Sequence, residues 1–246
     1  MHRIARIAIA ALASVGMLAS VAACGSGQST SKKNGTIEVA ASVNQWGTVA
    51  KALGGDNVNV TSIINSTNVD AHDYEPTTSD IAKLQKAQVI IVNGAGYDAW
   101  AVKAAQTANA TIVNAAEVGG VNDGENPHVW FSADVRKAVA QAITEAYEQA
   151  DAAKKNDFDK MNDQWAAEEN NVESKIAEVK QKTDGLAYAA TESVASYLAE
   201  DMGLADATPS GYARATANES EPTPTDIKQF TDALKAGEIK LLVVNT

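Results

Sequence analysis

Two histidines in this chain follow stretches whose composition is typical of β-strands. His72 lies in the segment NVDAHDYEP (68–76), and His128 lies in NPHVW (126–130). Imidazole is the commonest metal ligand in proteins, and its neutral form binds a cation without bringing a buried charge. Two imidazoles placed at strand ends therefore suggest one metal site built from distant parts of the chain. The alternative is that both histidines have structural roles.

The N-terminal segment has the pattern of a processed, exported protein. Arg3 and Arg6 precede a run from Ile7 to Val21 that is almost wholly apolar or small. This run is too short and too rich in alanine to favour a membrane span. Small residues then precede Cys24, as in the lipobox of bacterial lipoproteins. We predict a signal peptide at residues 1–23 and a lipid on Cys24. The alternative is a secretory signal with an incidental cysteine.

Composition and charge exclude several classes of function. Cys24 is the only cysteine, so the chain has no intramolecular disulfide and no metal site made of cysteines. The formal net charge is −11. This balance argues against nucleic-acid binding, which needs clustered basic residues. An acidic surface favours solubility and attracts cations.

Predicted strands and helices alternate through the first half of the chain. The predicted strands are Thr36–Val43, Val58–Ile64, Val89–Val92 and Thr111–Val113. The predicted helices are Gln45–Leu53, one that is capped by Thr78-Ser79-Asp80 and ends at Lys86, and Tyr97–Ala108. The first strand alternates apolar and other residues, which predicts that one of its faces is buried. Strands separated by helices indicate βαβ units and a mostly parallel sheet.

Residues 132–182 contain no strand pattern and are rich in Ala, Glu, Lys and Gln. We predict one helix to about Gln149 and a long second helix from about Ala153 to Lys182. At 1.5 Å per residue the second helix would span about 45 Å, which suits a rigid connection between two domains. The alternative, a coiled-coil arm, is disfavoured by poor heptads. Apolar residues from Phe158 to Val179 instead predict one face packed on a body.

The strand–helix pattern returns after Gly185. Strands are predicted at Leu186–Thr191 and Leu241–Val244, with helices at Ser193–Met202 and after a capped start at Thr223-Pro224-Thr225-Asp226. A buried parallel strand needs neighbours on its sheet, so the end of the sequence at Thr246 predicts an incomplete second lobe.

Together these patterns predict an α/β fold of two lobes with mostly parallel sheets, joined by one long helix, with the second lobe incomplete. The expected divisions are a tether at 24–35, an N-terminal lobe at 36–150, the linker helix at 151–183 and a C-terminal lobe at 184–246. The tether is polar and rich in Gly and Ser, which is typical of a flexible segment.

Four motifs in order resemble one family. They are VDAHDYEPTTSD (69–80), NGAGYDAW (93–100), NPHVW (126–130) and TESVASYL (191–198). Over about residues 36–246 the chain is similar to the zinc- or manganese-binding solute-binding lipoproteins of bacterial ABC importers. That class has two α/β lobes joined by one long helix.

The resemblance implies a metal site and a place of action. It assigns His72, His128 and Glu192 as ligands of a transported divalent metal, zinc or manganese, with iron as a further candidate. Many relatives have histidine at the position of Glu192. It also implies a non-enzymatic, lipid-anchored extracytoplasmic monomer that delivers metal to an ABC importer permease.

This chain departs from the family pattern in several places. The second motif commonly begins with Asp, so Asn126 lacks a charge that could orient the neighbouring loop. Trp46 replaces a commoner Tyr-Pro element, and residues 117–125 contain no histidine. The family's fourth, acidic ligand is expected beyond Thr246.

Two imidazoles and one carboxylate suit zinc, manganese or iron(II), and they do not suit copper(I), which prefers sulfur. Such a set also occurs in catalytic zinc sites, so a zinc hydrolase is an alternative. The chain has no His-Glu-x-x-His helix and no nucleophile elbow to support it. A surface adhesin with a structural metal is another alternative. The sequence leaves the physiological metal open.

Overall fold

A four-stranded parallel sheet forms the centre of the first lobe, which comprises this sheet and the helices packed on it. The structure is a computed structural model that describes residues 35–66, 69, 71 and 73–245. The strands are β1 (Ile37–Val43), β2 (Val58–Ile64), β3 (Val89–Val92) and β4 (Thr111–Asn114), in the order β2-β1-β3-β4. The chain runs from β1 to β2 on one side of the sheet and from β3 to β4 on the other, so the strand order reverses between β1 and β3. Ligands of such sheets bind beyond the carboxyl ends of the strands at this point.

Helices cover both faces of the first sheet. They are α1 (Asn44–Gly54), α2 (Thr78–Lys86), α3 (Ala99–Ala105), α4 (Ala115–Val118) and α5 (Ala133–Ala150). Val39 and Ile91 pack in the core that includes α1 and α5, whereas Ala40 and Ile90 pack in the core that includes α2 and α3. The prediction that the first strand is half-buried was therefore wrong. A central strand covered on both sides buries both alternating sets of side chains.

The predicted bounds of β2 and β3 are confirmed, but the helices that follow these strands start differently from the prediction. The cap of α2 is Thr77, not Thr78, because the Thr77 hydroxyl accepts the Asp80 backbone N–H. The predicted helix from Tyr97 begins later, at Ala99. The preceding turn contains three successive positive φ angles, 78°, 51° and 83° at residues 94–96, and a right-handed helix cannot begin there.

The predicted long helix is confirmed as α6 (Lys155–Thr183), whose 29 residues span about 43 Å. It packs against α1 and α5. Phe158 is fully buried, and Glu169 accepts a hydrogen bond of 3.0 Å from Arg136 Nε of α5. Val172 and Val179 are exposed. The prediction of one continuous packed face was therefore wrong for the C-terminal half of this helix.

A three-stranded parallel sheet forms the second lobe, which comprises this sheet and its helices. The elements are β5 (Ala187–Ala190), α7 (Ser196–Asp201), β6 (Ala205–Asp206), α8 (Ser210–Ala217), α9 (Pro224–Lys235) and β7 (Leu241–Val243), with strand order β6-β5-β7. The capped start of α9 is confirmed. The predicted helix Ser193–Met202 opens as a 3-10 turn before α7.

Two elements of the second lobe were not predicted. β6 has only two residues, too few to show an alternating pattern, and α8 contains no large apolar stripe. Leu241 and Leu242 of β7 and Val244, which follows it, are exposed. Across the described part of the chain, no helix combines the length and apolar character needed to cross a bilayer.

Candidate metal centre

The loop that carries His128 is anchored to the end of β3 by a buried asparagine. Asn93 Nδ2 donates to the carbonyl oxygen of Pro127 at 2.8 Å, and Asn93 Oδ1 accepts from Trp46 Nε1 at 2.9 Å. Both Trp46 and Asn93 are fully buried. Trp46, which the sequence marked only as a departure from the family, thus fixes the residue that positions the His128 loop.

The turn after β3 is held by a buried carboxylate. Asp98 accepts the backbone N–H groups of Asn93 at 2.7 Å and Gly94 at 2.9 Å. Burial raises the pKa of the Asp98 carboxyl, whereas these hydrogen bonds act in the opposite direction. The turn places the centroid of the Tyr97 ring 5.7 Å from the centroid of the His128 ring, so an aromatic side chain packs against His128.

Asn126 orients the imidazole of His128. Asn126 Oδ1 lies 3.1 Å from the His128 backbone nitrogen and 2.7 Å from His128 Nδ1. A backbone N–H only donates, so the atom that faces it is the amide oxygen. The same oxygen can only accept from Nδ1, so Nδ1 carries a proton, and in the neutral ring the lone pair then lies on Nε2. Metal-binding imidazoles are commonly oriented in this way. A neutral amide thus orients the ring without the charge that Asn126 lacks.

Glu192 follows β5 in the second lobe and is also held by a hydrogen bond. The Thr191 backbone N–H donates to the Val243 carbonyl oxygen at 3.0 Å, which extends the β5–β7 pairing by one residue. Asn245, after β7, donates from Nδ2 to Glu192 Oε2 at 2.7 Å and from its backbone nitrogen to Thr191 Oγ1 at 3.0 Å. Adjacent parallel strands thus end together and bring these side chains to one edge.

His128 and Glu192 line the same cleft. Its volume is about 500 Å³, and its lining comes from both lobes: Asp73, Pro127, His128, Thr191, Glu192, Ser193, Tyr212, Thr216, Ala217, Glu219, Ser220, Glu221, Pro222 and Asn245. Four of these described residues are carboxylic acids, and none is a lysine or an arginine. A cleft lined by one sign of charge concentrates ions of the opposite sign, here cations.

The structure brings together part of the predicted ligand set. His72 and Cys24 lie outside the described residues, although Asp73, the neighbour of His72, lines the cleft. Among the residues that are described, no three His, Cys, Asp or Glu side chains are grouped closely enough to hold a metal ion. Convergence of His72, His128 and Glu192 on one ion therefore stays a prediction.

Among the cleft residues that sequence reasoning missed are Asn245, Glu219 and Glu221. Asn245 carries no motif. Glu219 and Glu221 precede the capped start of α9, and Glu219 has a positive φ of 53°, which is uncommon for a residue other than glycine. The two glutamates within three residues of Pro222 were the one signal that could have indicated Glu219 and Glu221.

Known proteins resemble this chain over most of its length. Residues 39–246 match the family described as zinc-uptake complex component A, periplasmic. The chain is 24% identical to a manganese ABC transporter substrate-binding lipoprotein, PsaA, of Streptococcus anginosus, over 91% of this chain and 77% of the relative. It is 26% identical to an iron ABC transporter substrate-binding lipoprotein, MtsA, of Streptococcus pyogenes serotype M1, over 91% and 76% of the two chains.

The fold has counterparts among solved structures. Zn(II)-bound AdcA from Streptococcus pneumoniae superposes with a TM-score of 0.70 at 20% identity. The alignment covers 86% of this chain and 46% of AdcA, so this chain spans less than half of that protein. At this identity the likeness concerns the fold, and it confirms the predicted two-lobed α/β class. Because the family match covers nearly all of the described residues, this chain belongs to the zinc-uptake complex component A family.

Proposed function

We propose that this chain captures a divalent transition metal outside the cytoplasm and delivers it to an ABC importer. The observation that carries the proposal is the shared cleft. His128 of the first lobe and Glu192 of the second lobe line one acidic cleft, and hydrogen bonds orient both side chains. The names of the two streptococcal relatives, which describe manganese and iron importers, support the same role.

In this proposal His72, His128 and Glu192 are the metal ligands. Asp73 lines the cleft, which supports placing the loop that contains His72 beside the other two. Two imidazole nitrogens and a carboxylate match zinc, manganese and iron(II), and zinc binds most tightly of the three at such a site. The metal is cargo, so the protein acts as a carrier and not as an enzyme.

The proposed place of action is the outer surface of the cytoplasmic membrane. Cys24 would carry the lipid, and residues 24–35 would tether the lobes to the membrane. The description of both relatives as lipoproteins supports this anchor. We propose that the protein acts as a monomer and that its partner is the importer permease.

Calorimetric titration with zinc chloride tests the site. We expect His128→Ala to weaken zinc binding by about 100-fold or more, because even residues that only orient ligands contribute 10- to 100-fold. Glu192→Gln should also weaken binding, whereas Glu168→Gln, at an exposed position on α6, should not. Zinc binding by His128→Ala equal to that of the wild type would contradict the proposal.

A further inference from the structure

The side chain of Asn126 joins the two lobes. Its Nδ2 donates to the carbonyl oxygen of Ser193 at 2.8 Å, while its Oδ1 accepts from the backbone and ring nitrogens of His128. A backbone carbonyl only accepts and a backbone N–H only donates, so both ends of the amide are assigned by their partners. Asn126 belongs to the first lobe, and Ser193 directly follows Glu192 in the second.

A second hydrogen bond reinforces the same junction. Tyr197 Oη, at the start of α7, donates to the backbone carbonyl oxygen of Asn126 at 2.8 Å. Ser193 and Tyr197 are partly buried. Asn126 therefore contacts the second lobe through both its side chain and its backbone, and the contacted segment is the one that begins with Glu192.

We propose that Asn126 is a positioning residue that sets the separation of the two lobes and links it to the orientation of His128. One amide fixes the ring that presents Nε2 to the cleft and also fixes the loop that presents Glu192. The ligand roles rest on the proposed function, but the bridge between lobes is made by protein atoms alone. A site whose two sides are already joined by the protein costs less ordering when it binds a ligand.

The amide is required because it both accepts and donates. An aspartate at this position keeps the acceptor for His128 but presents a second oxygen to the Ser193 carbonyl, and two acceptors repel each other. Asn126→Asp is therefore a nearly isosteric change that removes the side-chain bridge to Ser193 and keeps an acceptor for the His128 ring. Asn126→Ala removes both functions. Tyr197→Phe removes only the second bridge and leaves the amide of Asn126 in place.

Hydrogen–deuterium exchange of the metal-free full chain tests the bridge. In Asn126→Asp we expect residues 193–201 to exchange about fivefold faster, the effect of losing one hydrogen bond, while β1–β4 remain unchanged. Tyr197→Phe should accelerate the same segment. Unchanged exchange of residues 193–201 in both variants would overturn the inference. If Asn126→Asp also accelerates exchange in β1–β4, that variant is destabilised as a whole. The exchange of Tyr197→Phe alone then decides whether the bridge exists.

Two further measurements separate orientation from bridging. Nitrogen-15 NMR of the His128 ring should show the proton on Nδ1 in the wild type and in Asn126→Asp, and a changed tautomer distribution in Asn126→Ala. Titration with zinc chloride should show about fivefold weaker binding by Tyr197→Phe, which loses one bridging hydrogen bond and adds no charge beside His128. If the wild type binds no zinc but the exchange results hold, the proposed function fails and the bridge stands. If zinc binds but exchange is unaffected, the bridge fails and the proposed function stands.

Discussion

At the residue scale, Asn245 gives the two oxygens of Glu192 different roles. Its Nδ2 donates to Oε2 at 2.7 Å and not to Oε1, so under the proposed ligand role Oε1 keeps both lone pairs for a metal. The donor also limits rotation of a side chain that is otherwise exposed. His128 is oriented in a comparable way by Asn126. Each described ligand candidate is therefore held by an uncharged amide, which leaves the acidic charge of the cleft undiminished.

We predict that Asn245→Ala weakens zinc binding by about tenfold, because groups that orient ligands contribute 10- to 100-fold to affinity. Calorimetric titration provides the measurement. Asn162→Ala on α6, which removes only a long contact of 3.4 Å with Gln141, serves as the matched control and should bind zinc normally. Equal affinity of Asn245→Ala and the wild type would show that the hydrogen bond to Glu192 does not organise the site.

At the element scale, the same capping box begins a helix in each lobe. Thr77 and Asp80 cap α2, and Thr223 and Asp226 cap α9. The first box is more heavily bonded, because the Asp80 carboxylate also accepts from Tyr74 Oη at 2.8 Å and Lys83 Nζ at 2.9 Å. The Thr77 hydroxyl, together with Lys83 and Tyr74, holds the pKa of the Asp80 carboxyl well below its usual range.

We predict that Asp80→Asn lowers the free energy of unfolding by about 2 kcal/mol at neutral pH, since several hydrogen bonds to one charged group are weakened. Asp226→Asn should lower it by about 1 kcal/mol, as expected for an ordinary cap. Urea denaturation measures both values.

The pH dependence follows from the lowered pKa of Asp80. A lowered folded-state pKa stabilises the protein above the unfolded-state pKa of about 3.9, and this stabilisation is lost as the pH falls further. The difference in the free energy of unfolding between the wild type and Asp80→Asn should therefore shrink below about pH 4. A difference that stays constant on acidification would show that the charge of Asp80 contributes nothing.

At the scale of the whole molecule, α7 of the second lobe packs against α6 and against the turn at residues 129–131. There Asp201 lies near Ala133, at the start of α5, and its Oδ2 is buried without a hydrogen-bond partner among the described residues. Burial raises the pKa of Asp201, and the nearby carboxylates Asp134 and Glu200 raise it further, whereas Arg136 lowers it. The contact between the lobes therefore contains a carboxyl group that is more easily kept protonated than an ordinary aspartate.

We predict that Asp201→Asn becomes more stable relative to the wild type as the pH rises from about 4 to neutral. The raised folded-state pKa of Asp201 stabilises the wild type below the unfolded-state pKa. The wild type loses this stabilisation as the pH rises through the folded-state pKa, whereas the variant does not titrate at this position. Urea denaturation across this range measures the difference. Asp163→Asn, at an exposed position on α6, should show no such trend. A stability difference independent of pH would contradict the raised pKa.

Local patterns determined much of this molecule from sequence alone. The bounds of β2 and β3, the length of α6 and the cap of α9 follow from residue composition, hydrophobic period and capping chemistry, which act over a few neighbouring residues. The ordered motifs indicated the family, and the family match confirms it. They also indicated His128 and Glu192, which the fold places on one cleft.

Only the tertiary structure decided how these residues are held. Asn126 and Ser193 are 67 residues apart, and Glu192 and Asn245 are 53 apart, so no local pattern relates them. The burial of both faces of β1 likewise depends on which strands and helices lie beside it. Short elements such as β6 form because a neighbouring strand supplies their hydrogen bonds. Sequence patterns report the chemistry of neighbours along the chain, whereas pairing between lobes depends on where the chain returns in space.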